Sequence, residues 1–260
     1  MGSHIGKKLR AEGARIAILY APFEASKRDE LLAAGYSDAP ASGPNDIRTY
    51  ECDITSADSV RNAFTSITNE MTAADLSDRA FPSILINTAG YVSLSDMHLT
   101  PPEETLKHLT TNVYGPMLCA QAFANLYFAA SKAASATDPA PPGRIVNLAS
   151  KAAHVALHQH GAYCASKSAV LGLTRCMASE WGPRGITANT VSPTVAWTDL
   201  GKKAWGAEGV KEALLEKIPT GKACLPEDVA DSVVFLCRVS LLFYFFFFFF
   251  FFFLVIIIII

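Results

Sequence analysis

With 260 residues, half of them hydrophobic, the chain can bury one substantial core, and α/β architectures of this length commonly form a single domain. A formal net charge of −2 provides no basic surface for nucleic acid. Six scattered cysteines without a C-x-x-C pair read as reduced thiols in a reducing, cytoplasmic compartment, not as a disulfide framework.

The chain opens with "MGSHIGKKLRAEGAR", which lacks the apolar core of a signal peptide; "MGSH" also has the look of a vector scar. Short β-branched runs then alternate with longer amphipathic stretches. "RIAILY" (15–20), "IRTYECDI" (47–54), "SILINTAG" (83–90), "GRIVNLAS" (143–150) and "GITANTVSP" (185–193) are predicted strands, the last the weakest by propensity. Predicted helices cover 25–34, 57–72, 102–134, 162–181 and 208–217. Strands separated by helices of this length imply βαβ units and a mostly parallel sheet with helices on both faces. The Pro-rich segment 135–144 is a connector inside that pattern.

The end of the chain is different. After Ser240 every residue is aliphatic or aromatic, with phenylalanine unbroken over 245–253 and isoleucine over 256–260. The length suffices to span a bilayer, but Tyr244 and Arg238 are the only candidates for interfacial anchors. Homopolymeric Phe followed by Ile is what thymine-rich non-coding DNA yields on translation. The pair Val239–Ser240 is also the in-frame reading of a common intron start, GTAAGT. The expectation is therefore a Rossmann-type domain over 1–238 and a low-complexity tail over 239–260 that derives from retained intron. A genuine anchor is the alternative, and membrane association is not expected.

Tyr163 and Lys167 stand four positions apart in "GAYCASKSAV", hence on one face of a predicted helix. A free tyrosine titrates near ~10, too high for easy proton exchange at neutral pH, and a neighbouring ammonium favours its phenolate. Y-x-x-x-K alone is a weak signal; its company strengthens it. Ser150 ends a predicted strand shortly before it, "NTAG" (87–90) ends an earlier one in glycine, and Asn112 lies in the helix between them.

Together, in this order, N-x-A-G, a helical Asn, a Ser and Y-x-x-x-K resemble the short-chain dehydrogenase/reductase family across nearly all of 14–238. The resemblance implies a doubly wound, three-layer α/β/α fold with parallel strand order 3-2-1-4-5-6-7. It also implies hydride transfer between a nicotinamide dinucleotide and a hydroxyl or carbonyl carbon. Tyr163 is then the proton donor or acceptor, Ser150 the partner of the substrate oxygen, Lys167 the tuner of Tyr163 and ligand of the nicotinamide ribose, and Asn112 the holder of a relay water.

By the same resemblance Asn87, Ala89, Gly90, Asp53, Ile54, Pro193, Val195 and Thr198 lie along the cofactor, Asp53 and Ile54 beside the adenine and Thr198 at the carboxamide end. "GSHIG" resembles the end of the family's glycine turn, which places Gly2, Ser3, Ile5 and Gly6 at the pyrophosphate, although His4 stands where a glycine belongs. Tyr20 replaces the acid of NAD-preferring members, and with Lys27 and Arg28 nearby the reading leans to NADP over NAD.

"HVALHQHGAY" and "SPTVAWTDLGKKAW" resemble the branch that interconverts sugar alcohols and ketoses, with His154, His158 and Trp197 lining a polar pocket. No metal is expected, because no carboxylate or cysteine completes a set with the histidines. A general carbonyl or 3-oxoacyl reductase of the same family is one alternative. A non-catalytic, membrane-tethered remnant is another. The resemblance also implies a homo-oligomer when the fold is intact. The family's first strand lies upstream of the glycine turn, so this chain is expected to lack the central strand, and its last strand as well, and to fold poorly.

Overall fold

The computed structural model describes residues 1–36, 47–73, 81–134, 139–198, 201–202, 209–238 and the backbone of 256–259. Each β-branched run forms a strand: β1 Ile16–Tyr20, β2 Ile47–Glu51, β3 Ile84–Asn87, β4 Gly143–Leu148 and β5 Ile186–Val191. Every residue of β3 and β4 is buried, Asn87, Arg144 and Asn147 included, so these strands show no alternation of buried and exposed positions. A sixth strand, β6 Ile256–Ile259, completes a parallel sheet of order β2-β1-β6-β3-β4-β5.

The helices are α1 Gly2–Ala11, α2 Arg28–Tyr36 after a 3₁₀ turn at Pro22–Lys27, α3 Ala57–Ala73, α4 Pro102–Leu109, α5 Gly115–Ala133, α6 Gly161–Trp181, α7 Val210–Leu215 and α8 Pro226–Leu236. One face of the sheet presents Leu19, Leu85, Ile145 and Ile186 to Phe64, Cys119, Phe123 and Met177 from α3, α5 and α6. The other presents Ile16, Ile18, Ile84, Ile86 and Val146 to Ile5 and Leu9 of α1 and to Val229 and Val233 of α8. Burying apolar surface on both faces contributes about 25 cal/mol per Å² and fixes the three-layer stack.

Four findings depart from the expectations, three in the helices and one in the sheet. Residues 2–6, read as the end of a glycine turn, already lie inside α1, and Ile5 N–H donates to Met1 O at 3.1 Å. Helix α8 was not anticipated, although Pro226 at its start and Glu227 and Asp228 in its first turn are start signals. The single helix predicted over 102–134 is divided by a π-helical turn at Thr110–Tyr114, where Gly115 N–H reaches back to Thr110 O.

The position between β1 and β3, expected to be open, is occupied. Ile256 lies opposite both Ile16 and Ile84, and Ile259 opposite both Leu19 and Asn87. An isoleucine run meets what a central parallel strand requires: high β-propensity and no polar side chain to bury. Beyond β5 no further strand pairs among the described residues.

Candidate active site

The carboxyl ends of β3, β4 and β5 open onto one edge of the sheet, and α6 crosses that edge with its first turns. Ser150 follows β4 in extended conformation (φ −167°), and its Oγ accepts from Ala152 N–H at 3.1 Å. The Ser150 hydroxyl also acts on the Tyr163 phenol, pulling its titration downward.

Lys167, one helical turn after Tyr163, is buried; its Nζ donates to Leu148 O at 2.7 Å and lies 5.9 Å from the centre of the Tyr163 ring. Ser150, Tyr163 and Lys167 thus face one another. The electrostatics differ from the simple picture of an ammonium holding a phenolate. Burial pushes the Tyr163 phenol above its ordinary value, against a smaller opposing pull from the Ser150 hydroxyl. Desolvation lowers the Lys167 ammonium from 10.5 to about 8.

A lysine whose folded value is depressed subtracts stability fully below that value, and the loss is relieved as pH rises towards the unfolded value. Lys167→Met should therefore be more stable than the parent at pH 7 by about 1–3 kcal/mol. That advantage should shrink between pH 8 and 10.5, the interval set by the depressed and ordinary values. Denaturant melts at pH 7 and pH 10 check the sign.

Asn112 sits in the π-turn, buried and fully engaged. Its Oδ1 accepts from Tyr91 N–H at 2.7 Å, and its Nδ2 donates to Tyr91 O at 2.8 Å and to Ser166 Oγ at 2.9 Å. Ser166 in turn donates to Tyr163 O at 2.8 Å. The exposed Gly90 faces the same point: a Cβ added there would lie 3.5 Å from Lys167 Nζ and 3.6 Å from Asn112 Oδ1. Asn87 turns inward instead, donating to Asn147 Oδ1 at 2.7 Å and leaving its own Oδ1 buried with no hydrogen-bond partner. Ala89 is half-buried against the α3–α5 core.

The remaining candidates surround this centre. Asp53 accepts from both Thr55 N–H (2.9 Å) and Thr55 Oγ1 (2.7 Å), shaping the turn into α3. Ile54 packs so closely on Gly115 that a Cβ there would lie 2.8 Å from Ile54 Cδ1. Gly2, Ile5 and Gly6 are buried in α1, and Ser3 lies within hydrogen-bonding distance of His4 Nδ1 (3.5 Å). The His4 ring pairs with Glu227 at 3.1 Å, towards α8. Beside Tyr20, Arg28 is paired with Asp29 at 2.7 Å, and the side chain of Lys27 lies outside the described residues.

Pro193 O accepts from Lys151 N–H at 2.8 Å, joining the β5 end to the Ser150 turn, and the half-buried Val195 follows. Thr198 Oγ1 accepts from Gly201 N–H at 3.1 Å. The exposed His154 lies 3.1 Å from Ser192 Oγ; His158 is exposed; Trp197 lies under Lys211 Nζ at 5.6 Å from its ring centre. Among the described residues no three His, Cys, Asp or Glu side chains gather as metal ligands.

Sequence reasoning missed Glu104 and His108. Both contact the loop after Gly90, and His108 lies against Tyr163 with ring centres 6.3 Å apart. Their spacing with Asn112 at every fourth residue was the available signal.

The fold and this constellation define an oxidoreductase. Residues 1–241 match the family model described as Enoyl-(Acyl carrier protein) reductase. The chain is 36% identical over 237 residues to a D-threitol dehydrogenase of Mycolicibacterium smegmatis, covering 91% of this chain and 81% of that protein. It is 40% identical over 153 residues to an NAD-dependent glycerol dehydrogenase of Listeria innocua, covering 59% of this chain and 56% of that one. An L-xylulose reductase of Caenorhabditis elegans is 34% identical over 152 residues, covering 58% and 57%. A short-chain type dehydrogenase/reductase from Mycobacterium marinum superposes with TM-score 0.74 at 27% identity, covering 92% of this chain and 84% of that one. ElxO with NADP bound shares the fold with TM-score 0.72 at 19% identity, covering 89% of this chain and 94% of that one. The chain belongs to the short-chain dehydrogenase/reductase family, whose members are NAD(P)-dependent oxidoreductases.

Proposed function

We propose that this chain interconverts a sugar alcohol and its ketose, with Ser150, Tyr163, Lys167 and Asn112 as the working residues and NADP favoured over NAD. The observation that carries the reading is Tyr163 set between the Ser150 hydroxyl and the Lys167 ammonium. The residues present fit a nicotinamide dinucleotide. The exposed Gly90 adds no side chain beside Lys167 Nζ and Asn112, so backbone there is accessible to a ligand, and the N–H groups of residues 2–4 precede the first intrahelical bond of α1. His4 is drawn to Glu227, which frees the place a glycine would otherwise keep clear. The chemistry such a dinucleotide supplies is hydride transfer at the nicotinamide ring.

In this proposal Ser150 donates its hydroxyl proton to the substrate oxygen and stabilises the charge that develops there. Tyr163, held as the neutral phenol by burial, gives a proton to a carbonyl in reduction or receives one from an alcohol through its phenolate in oxidation. Lys167 remains an ammonium below about pH 8, with its Nζ 5.9 Å from the centre of the Tyr163 ring. His154, His158 and Trp197 supply polar contacts for further hydroxyls. Asn87, Ala89, Asp53, Ile54, Pro193, Val195 and Thr198 hold the cofactor. The absence of an acid at Tyr20, with Arg28 beside it, supports NADP.

The names of the three relatives, all acting on polyols or ketoses, support this substrate class. The description of the matched family model favours a reductase of acyl-carrier-bound enoyl or 3-oxoacyl thioesters as the second reading. A panel of tetritols, pentitols and glycerol against short 3-oxoacyl and 2-enoyl thioesters, followed at the nicotinamide absorbance band with either dinucleotide, separates the two. Saturable turnover of a polyol is the expected result; turnover confined to thioesters would overturn the proposal.

We further read the protein as a cytoplasmic homo-oligomer with its tail over 239–260 derived from intron sequence. Among the described residues no helix is long and apolar enough to cross a membrane. The seat of Ile256–Ile259 in the sheet is compatible with an unselected tail, because a parallel strand is held through its backbone. Sequencing the mature transcript tests that origin.

A further inference from the structure

The loop that follows Gly90 is tied down by one helix face. Glu104, His108 and Asn112 lie at successive fourth positions along α4 and the π-turn, and each bonds to residues 91–93. The Glu104 carboxylate accepts from the Tyr91 hydroxyl (2.7 Å) and the Ser93 hydroxyl (2.6 Å). Asn112 grips the Tyr91 backbone at both its N–H and its carbonyl.

His108 supplies the middle contact. Its Nε2 accepts from Ser93 N–H at 3.1 Å, while its Nδ1 lies 2.7 Å from Glu104 O, which can only accept. The two bonds therefore require the neutral imidazole protonated on Nδ1. The ring is buried, packed on Tyr91 with centres 4.9 Å apart and on Tyr163 at 6.3 Å. It touches the loop on one side and the phenol ring on the other. The loop continues to Ser95, whose N–H donates to Gln159 O at 3.1 Å just ahead of α6.

We propose that His108 is a positioning residue for the reaction. Its imidazole, fixed as the Nδ1–H tautomer by Glu104 O, locks the Tyr91–Ser93 loop and buttresses the Tyr163 ring so that the phenol stays aligned with Ser150. This rests on the oxidoreductase reading above for its kinetic consequence but not for the clamp itself. A buried acceptor aimed at a backbone N–H orders that segment, and a buttressed ring keeps the reacting oxygen in place, where small displacements have large effects on rate.

The test compares His108→Leu, which removes the acceptor, with His108→Gln, whose carbonyl can still accept from Ser93. Hydrogen exchange followed by mass spectrometry reads the loop without needing activity. Exchange in the peptide containing Ser93 should accelerate by about tenfold or more in His108→Leu and stay near the parent rate in His108→Gln. Turnover per folded enzyme should fall by about 10–10²-fold in His108→Leu, with KM for the dinucleotide unchanged, and recover substantially in His108→Gln.

Unchanged exchange at Ser93 in His108→Leu overturns the proposal, as does equal loss of turnover in both variants. Should His108→Leu fail to fold, His108→Asn, whose shorter side chain withdraws the acceptor from Ser93 N–H, must accelerate the same peptide. A parent that turns over no substrate, yet shows the exchange contrast, removes the oxidoreductase reading and leaves the clamp standing.

Discussion

Tyr163→Phe is expected to lower hydride transfer by about 10²–10⁴-fold, the range spanned by a positioned proton donor or acceptor. The change removes one oxygen and keeps the ring, which stays packed between His108 and His160 at 6.3 and 6.1 Å. Ser150 keeps its bond from Ala152 N–H, so no buried donor is stranded and the melting temperature should hardly move. Binding of NADPH, followed by its fluorescence, should persist. A variant that retains more than about a tenth of the parental kcat would show that another group moves the proton, and the assignment of Tyr163 would fail.

Ending the chain after Arg238 is expected to abolish cooperative folding. Without β6, the facing edges of β1 over Ile16–Leu19 and of β3 over Ile84–Asn87 lose their parallel partner in the middle of a buried sheet. Each buried backbone group left unsatisfied costs about 1–3 kcal/mol, and several exceed a typical margin of ~5–15 kcal/mol. A thermal melt followed by far-ultraviolet circular dichroism should lose its transition. Replacing Ile256–Ile259 by valines should preserve it, because the ladder needs β-branched backbone, not isoleucine in particular. Ile258→Pro should not, since it deletes a donor from the ladder. A truncated chain that melts like the parent would show that β1 and β3 do not depend on this strand.

The readable and unreadable parts of the molecule divide along physical lines. Strands β1 to β5 were legible because short segments enriched in β-branched residues are bounded by turn residues, and Tyr163 and Lys167 because a helix places every fourth residue on one face. The order of the sheet followed from the family resemblance. Its central member did not, since nothing in a run of isoleucines says which two edges it will join. Helix α1 was obscured by its glycines, which suggested a turn, although the buried pair Ile5 and Leu9 has helical spacing. The inward rotation of Asn87 and the three bonds of Asn112 are tertiary facts, dependent on Asn147, Tyr91 and Ser166, residues distant in sequence. The upward shift of Tyr163 also escaped the sequence, because burial outweighs the hydroxyl beside it and burial is known only once the layers are stacked.

The central strand of this sheet is contributed by residues 256–259, synthesised after every other strand. Its two neighbours, separated in sequence by more than half the chain from their partner in the case of β3, must wait with open edges until it arrives. Such long-range closure is slow and leaves sticky edges exposed meanwhile, so yield on expression should be limited by aggregation of the waiting intermediate and should improve at low temperature and low synthesis rate.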